Sequence, residues 1–311
     1  MSKSRRDFVK TAAGMSLAAA AAAAGNEIPK RRFGKTGLDV TIFGLGGGTH
    51  GNLPSQSDAV KVIQKARDLG VNYFDSAAAG AYGLSQKRLG VALNGDKSIY
   101  IGTKTRNRSY LHCELDLNQS LANTKRDYLD LYQVHNVMSE EDIEQIFAPR
   151  GTMELVEKAK KDGKVRYVGF TGHMDPNVHK KMMGMYDWDT ILMPLGISDG
   201  ARKDFSFEHT TLPVALDKGL GIQAMKVTGA GGMLKQKLAS VEECLRYVFS
   251  LPISLAIVGC STPEEVEENV NVAKMMADSQ LSKKEMNGLR KQLAKADFKS
   301  LEYWKVRQMA V

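Results

Sequence analysis

The sequence predicts an α/β fold, a closed (β/α)8 TIM barrel, and three observations carry that prediction. Short apolar, β-branched segments alternate with helical patterns without a break from residue 41 to about residue 277, the signature of βα units feeding a parallel sheet. Eight such strand segments can be read, and eight units in roughly 250 residues match a closed barrel better than an open sheet. Polar and ionisable side chains collect at the C-terminal ends of successive strands, the rim on which barrel loops converge.

Residues 1–25 stand apart from this pattern. Ser4-Arg5-Arg6-Asp7-Phe8-Val9-Lys10 precedes an alanine-rich, mildly apolar run from Thr11 to Ala24, which reads as a twin-arginine export signal, with a stretch too short to span a bilayer stably. The barrel is expected over residues 28–277 and a tail over 278–311. Ile28 to Val40 has the turn residues and alternation of a short hairpin. The strands read as Thr41 to Leu45, Val71 to Asp75, Ser98 to Lys104, Tyr128 to His135, Val165 to Thr171, Thr190 to Leu195, Gly221 to Val227 and Ser254 to Gly259. Helical periodicity fills the intervals, among them Ser57 to Leu69, Tyr110 to Thr124, Val241 to Ser250 and Pro263 to Met276. Gly46-Gly47-Gly48-Thr49-His50-Gly51 has dinucleotide-fold glycine spacing, but Asn52, Leu53 and Pro54 intervene, so the next helix is expected only from Ser57. Ser282 to Arg307 reads as a basic amphipathic helical tail that packs on the barrel.

Composition narrows the function classes. With 43% hydrophobic and 25% charged residues the chain is an ordinary globular protein. The formal charge of +8 is partly an end effect, since Lys3, Arg5, Arg6 and Lys10 stand against Asp7 in the leader. No basic run interleaved with aromatics follows, which argues against nucleic acid as a partner. Cys113, Cys244 and Cys260 lack metal-site spacing and read as buried thiols, so no metal is expected.

The chemistry is carried by Asp75, Tyr82, Lys104 and His135. An acid, a phenol, an ammonium and an imidazole on one rim are the parts of a proton-transfer site. A phenol of pKa near ~10 becomes a usable proton donor when a cation stabilises the phenolate. Lys104 can supply that charge, Asp75 can hold the ammonium, and His135 can orient a carbonyl oxygen. With its flanks, this set resembles the catalytic tetrad of the aldo-keto reductases, and the resemblance runs from Ile28 to about Ala277. The family pattern is Asp-x-Ala-x-x-Tyr-Gly. A gapless reading of Asp75-Ser76-Ala77-Ala78-Ala79-Gly80-Ala81-Tyr82-Gly83 puts Gly80 at the tyrosine position. Either the loop is two residues longer and Tyr82 is the acid, or the acid is missing.

The resemblance also implies a cofactor site for a nicotinamide dinucleotide, NADP or NAD. Lys164-Val165-Arg166-Tyr167-Val168-Gly169-Phe170-Thr171-Gly172-His173 is similar to the family's fifth strand, with Thr171-Gly172 where a Ser-Asn pair grips the nicotinamide amide. Met193 stands near the place of the amide-binding glutamine. Gly46, after the first strand, is expected among the cofactor-binding residues, and Lys226, Gly229 and Gly231 resemble the seventh strand and its glycine loop, whose backbone amides can approach a pyrophosphate closely. Gly259, Ser261 and Thr262 resemble the eighth-strand loop, and Glu268 and Asn269 match the family's adenine contacts. Where NADP-preferring members carry Lys-Ser and an Arg, this chain has Gly259, Cys260 and Glu265, so NADH should be accepted about as well as NADPH.

The expected protein is therefore a periplasmic oxidoreductase, exported by the twin-arginine machinery without a stable membrane span. It reduces a small aldehyde, ketone or quinone. The alternative is a dinucleotide- or ligand-binding barrel that has lost reductase activity, a reading favoured by Gly80, Gly172 and Met193.

Overall fold

The computed structural model describes residues 27–305; the export signal expected over residues 1–25 lies outside the described residues. The chain enters through an antiparallel hairpin, β1 (Lys30–Arg32) and β2 (Asp39–Thr41). Eight parallel strands then close into a barrel: β3 (Phe43–Leu45), β4 (Tyr73–Asp75), β5 (Tyr100–Thr105), β6 (Leu129–Val134), β7 (Val165–Thr171), β8 (Thr190–Pro194), β9 (Gly221–Met225) and β10 (Leu255–Val258), with β10 pairing back onto β3. Every strand expected from the sequence is present, trimmed by one or two residues at some ends.

Two layers of apolar packing hold this arrangement. Outward-facing strand residues pack with the helices into one large core that includes Phe74, Ile101, Phe170, Ile191 and Val258. At the bottom of the barrel a smaller cluster of Phe33, Leu38 and Val40 from the hairpin meets Tyr73, Leu131 and Leu255 from the interior. The hairpin thus plugs the end opposite the rim, where an open barrel would leave apolar side chains in water. Arg31 fastens it by donating to the carbonyls of Phe249, Leu251 and Ile253.

Helix boundaries follow local chemistry. Ser55 accepts the Asp58 amide at the start of Gln56–Asp68, Ser240 and Glu243 form a reciprocal capping box, and Thr262 caps Pro263–Met275 with proline in the first turn. The three cysteines are free and buried, as expected.

Two expectations, the glycine loop and the tail, need correction, and one helix is additional to those named from the sequence. A five-residue helix, Gly47–Gly51, does open directly after Gly46, because the glycines admit the close approach of Tyr82 and Ser85. A further helix, Glu140–Phe147, follows β6, capped by Ser139 and carrying three acids in its first turn. The tail is not one helix. Lys283–Gln292 ends at Leu293, and the short helix Phe298–Leu301 and the 3-10 turn Tyr303–Lys305 fold back onto the barrel.

Candidate active site

Strand register brings the four rim residues together. Inward positions alternate along each strand, and the pairing of Asp75 with Gly102 places Asp75 and, two residues on, Lys104 on the interior side. Lys104 Nζ lies 2.5 Å from Asp75 Oδ1 and 2.7 Å from the Ser76 carbonyl oxygen. Both side chains are sealed from solvent. Burial pulls the Lys104 ammonium below its usual range and lifts the Asp75 carboxyl above its own, while their contact opposes both shifts.

Tyr82 ends a 3-10 turn, Gly80–Tyr82. The two extra residues fold the loop back so that the Tyr82 hydroxyl donates to Asp75 Oδ2 at 3.2 Å. Lys104 Nζ sits 4.7 Å from the centre of the Tyr82 ring. The hydroxyl therefore points at the carboxylate, and the ammonium faces the ring. Burial, then the Asp75 charge, holds the phenol well above its usual pKa of 10, so it is a fully protonated group. His135 packs edge-on to Tyr82, with ring centres 6.2 Å apart. Burial, then Lys104, keeps its imidazole well below 6.5, hence neutral at pH 7.

A cavity of about 690 Å³ opens beside Tyr82 and runs along the ends of β9 and β10. Of the expected cofactor residues it is lined by Lys226, Gly231, Gly259, Ser261, Glu268 and Asn269. Gly259 must be a glycine because Thr49 packs on it: a Cβ there would lie 2.1 Å from Thr49 Oγ1. Thr49, also a lining residue, escaped the sequence reading; its signal was its place directly after the first strand. Four expected residues do not line the cavity. The Gly46 amide is spent on the Val258 carbonyl, the Thr262 hydroxyl caps its helix, and Gly229 lies behind the loop against Met233 and Leu301. Thr171 is the last residue of β7, fully buried, with Oγ1 unpartnered among the described residues.

The departures from the family pattern have structural causes. A Cβ at Gly172 would come 2.3 Å from the Val137 carbonyl oxygen and 2.5 Å from His179 Nε2, so an asparagine cannot stand there. Met193 is not the counterpart of the missing glutamine. Register pairs Thr171 with Leu192, and Met193 packs outward in the main core. At the phosphate end, Glu265 Oε2 accepts the Ser261 amide at 2.6 Å and so occupies a donor that an anion would use.

The tail contributes a residue that no local signal announces. Trp304 is buried, its ring centre 5.2 Å from Lys226 Nζ. Burial, then Lys226, holds His173 at about 4.

The site's residues fit a dinucleotide: an orphaned hydroxyl in Thr171 at the end of β7, and a groove leading from Tyr82 past Lys226 and Gly231 to a helix N-terminus. Comparison with known proteins agrees. The profile of the aldo/keto reductase family matches residues 42–243. Over 286 residues the chain is 27% identical to the uncharacterized oxidoreductase YqkF of Bacillus subtilis, covering 78% of this chain and 90% of that protein. It is 26% identical to L-galactose dehydrogenase of Arabidopsis thaliana over 289 residues, 78% of this chain and 88% of the relative. The fold is that of aldo-keto reductase AKR11C1 from Bacillus halodurans in its holo form, with a TM-score of 0.72 at 22% identity, covering 87% of this chain and 98% of the other. This chain belongs to the aldo/keto reductase family, oxidoreductases that use NADP(H) or NAD(H).

Proposed function

We propose that the protein reduces a small aldehyde, ketone or quinone, with Tyr82 as proton donor and Asp75, Lys104 and His135 as its supporting groups. The observation that carries this reading is the convergence of Asp75, Lys104 and His135 on Tyr82, which itself lines the cavity that also holds Gly259. The bound dinucleotide supplies the hydride. This chain's residues handle the proton and the charge. A carbonyl oxygen entering beside Tyr82 competes with Asp75 for the single phenolic proton. As negative charge develops on that oxygen, the proton moves from Tyr82 Oη to it. The negative charge left on the phenolate is stabilised by the Lys104 ammonium against its ring, which Asp75 and the Ser76 carbonyl hold in place. Neutral His135 donates one ring N–H to the same carbonyl oxygen and aims it at Tyr82. Thr171 offers its unpartnered hydroxyl to the nicotinamide amide, without help from position 172.

A second reading rests on the closed position at Gly172 and on the Tyr82 hydroxyl being engaged by Asp75: a barrel that binds the dinucleotide without turnover. Purified protein with NADPH or NADH and a panel of aldehydes and quinones separates the two. Oxidation of the cofactor that disappears in Tyr82→Phe supports reduction with Tyr82 as acid. Binding without oxidation supports the second reading. Turnover that survives Tyr82→Phe removes Tyr82 from its role.

For location, the leader carrying Arg5 and Arg6 supports twin-arginine export to the periplasm. That route moves folded chains, so the barrel can load its cofactor first. Among the described residues, no helix is long and apolar enough to cross a membrane.

A further inference from the structure

The cavity wall formed by the loop after β9 is held by the C-terminal tail. This loop runs through left-handed backbone at four of six residues, Lys226, Gly229, Ala230 and Gly231. Two of these, Lys226 and Ala230, carry a Cβ, for which that conformation is uncommon and costs energy that the surroundings must offset. Lys226, Ala230 and Gly231 line the same cavity as Tyr82 and Gly259. What presses on the loop from outside is the tail. Leu301 is fully buried, and its Cδ2 lies 3.4 Å from where a Gly232 Cβ would stand; its carbonyl oxygen lies 3.6 Å from the same position at Gly229. The Trp304 ring covers Lys226.

The tail is itself anchored by a buried ionic socket. Lys305 Nζ is 2.5 Å from Asp199 Oδ1 and 2.9 Å from Glu302 Oε2, and it donates to the Phe205 carbonyl at 3.2 Å. Its side chain is 3% exposed. Asp199 also accepts from Ser206 Oγ and from the amides of Phe207 and Glu208. Glu302 also receives Ser198 Oγ and Arg202. A lysine drawn this far from water stays only while both carboxylates neutralise it, so the socket is an all-or-none contact.

We propose that Asp297–Lys305 is a clamp on the cofactor site, with Lys305 as the positioning residue that fixes Leu301 and Trp304 against the loop at 226–232. This rests on the reading of that cavity as the dinucleotide site. The clamp acts through the loop's conformation and sets how fast the cofactor leaves.

The test uses the full chain and NADPH, with fluorescence-detected release into excess NADP+ and amide hydrogen exchange of residues 226–233. Lys305→Met and Leu301→Ala should each speed NADPH release by at least ~10-fold and remove protection of those amides. Lys305→Met can fail to fold because it orphans Asp199; Lys305→Met with Asp199→Asn removes that charge as well and carries the same expectation. A folded variant of this set that releases NADPH at the wild-type rate overturns the clamp. If the wild-type chain binds neither dinucleotide, the cavity reading has failed on its own. Amide exchange then decides the clamp alone: retained protection in the variants overturns it, and lost protection supports tail control of the loop.

Discussion

Lys104→Met tests whether the buried ion pair at the rim organises both stability and chemistry. The substitution keeps the volume of the stem but removes the ammonium bonded to Asp75 Oδ1 and the Ser76 carbonyl. Asp75, 1% exposed, then keeps only the Tyr82 hydroxyl. Breaking a buried pair from one side costs about 3–5 kcal/mol. An escape limits the loss, because the carboxyl can take up a proton. At about 1.36 kcal/mol for each pH unit above its ordinary 3.8, neutralising Asp75 costs about 4.4 kcal/mol at pH 7 and about 1.6 kcal/mol at pH 5. In the variant the folded-state pKa of Asp75 is raised, so the penalty is full at neutral pH and shrinks as pH falls through that value. The expected destabilisation is about 3–4 kcal/mol at pH 7 and no more than about 1.6 kcal/mol at pH 5. Denaturant unfolding at both pH values measures it. Adding Asp75→Asn should recover most of the loss at pH 7. Turnover should fall by at least ~100-fold with dinucleotide affinity nearly intact, since the ammonium acts on developing charge and not on the bound ground state. A loss below ~1 kcal/mol at pH 7, or an equal loss at the two pH values, refutes the argument.

Three further outcomes follow from other parts of the structure. Glu265→Arg removes the carboxylate that accepts the Ser261 amide and adds a cation at the helix start; the ratio of NADPH to NADH affinity should rise roughly 10- to 100-fold at low salt and less at high salt, and an unchanged ratio in parallel fluorescence titrations places the 2′-phosphate elsewhere. His179 is fully buried between Phe170 and Phe207 with both ring nitrogens unpartnered among the described residues, and burial holds it at about 3 against 6.5 unfolded. Because the folded state then binds fewer protons, the stability this gives is complete above pH 6.5 and is lost as pH falls toward 3. His179→Leu should therefore narrow its gap to wild type by about 2.7 kcal/mol between pH 7.5 and pH 4.5, and parallel stability curves would show that the ring is not protonated on unfolding. Finally, Arg5→Lys with Arg6→Lys should leave the protein in the cytoplasm, and unchanged periplasmic recovery by fractionation sinks the export reading.

Much of the barrel was legible in the sequence because its determinants are local. Strands such as Val165–Thr171 and helices such as Tyr110–Thr124 and Pro263–Met275 announce themselves through β-branched runs, periodicity, caps and the proline at 263, and their alternation leaves few topologies open. The rim positions of Asp75, Lys104 and His135 follow from the same logic, since a strand's end fixes where its last side chain points. Other features depended on contacts between distant segments. Whether Tyr82 could reach Asp75 was decided by a 3-10 turn that absorbs two residues, a conformation with no periodic signature. The replacement of asparagine by Gly172 became intelligible only when Val137 and His179 appeared in the space a Cβ needs. Met193 was misplaced by one position because register, set by the neighbouring strand, assigns inward and outward faces. The tail's role was the least visible. Lys305 meets Asp199 across 106 residues, and Trp304 meets Lys226 across the barrel mouth. A basic amphipathic segment carries its own helical pattern in sequence, but which loop it presses upon is written only in the shape of the barrel it folds against.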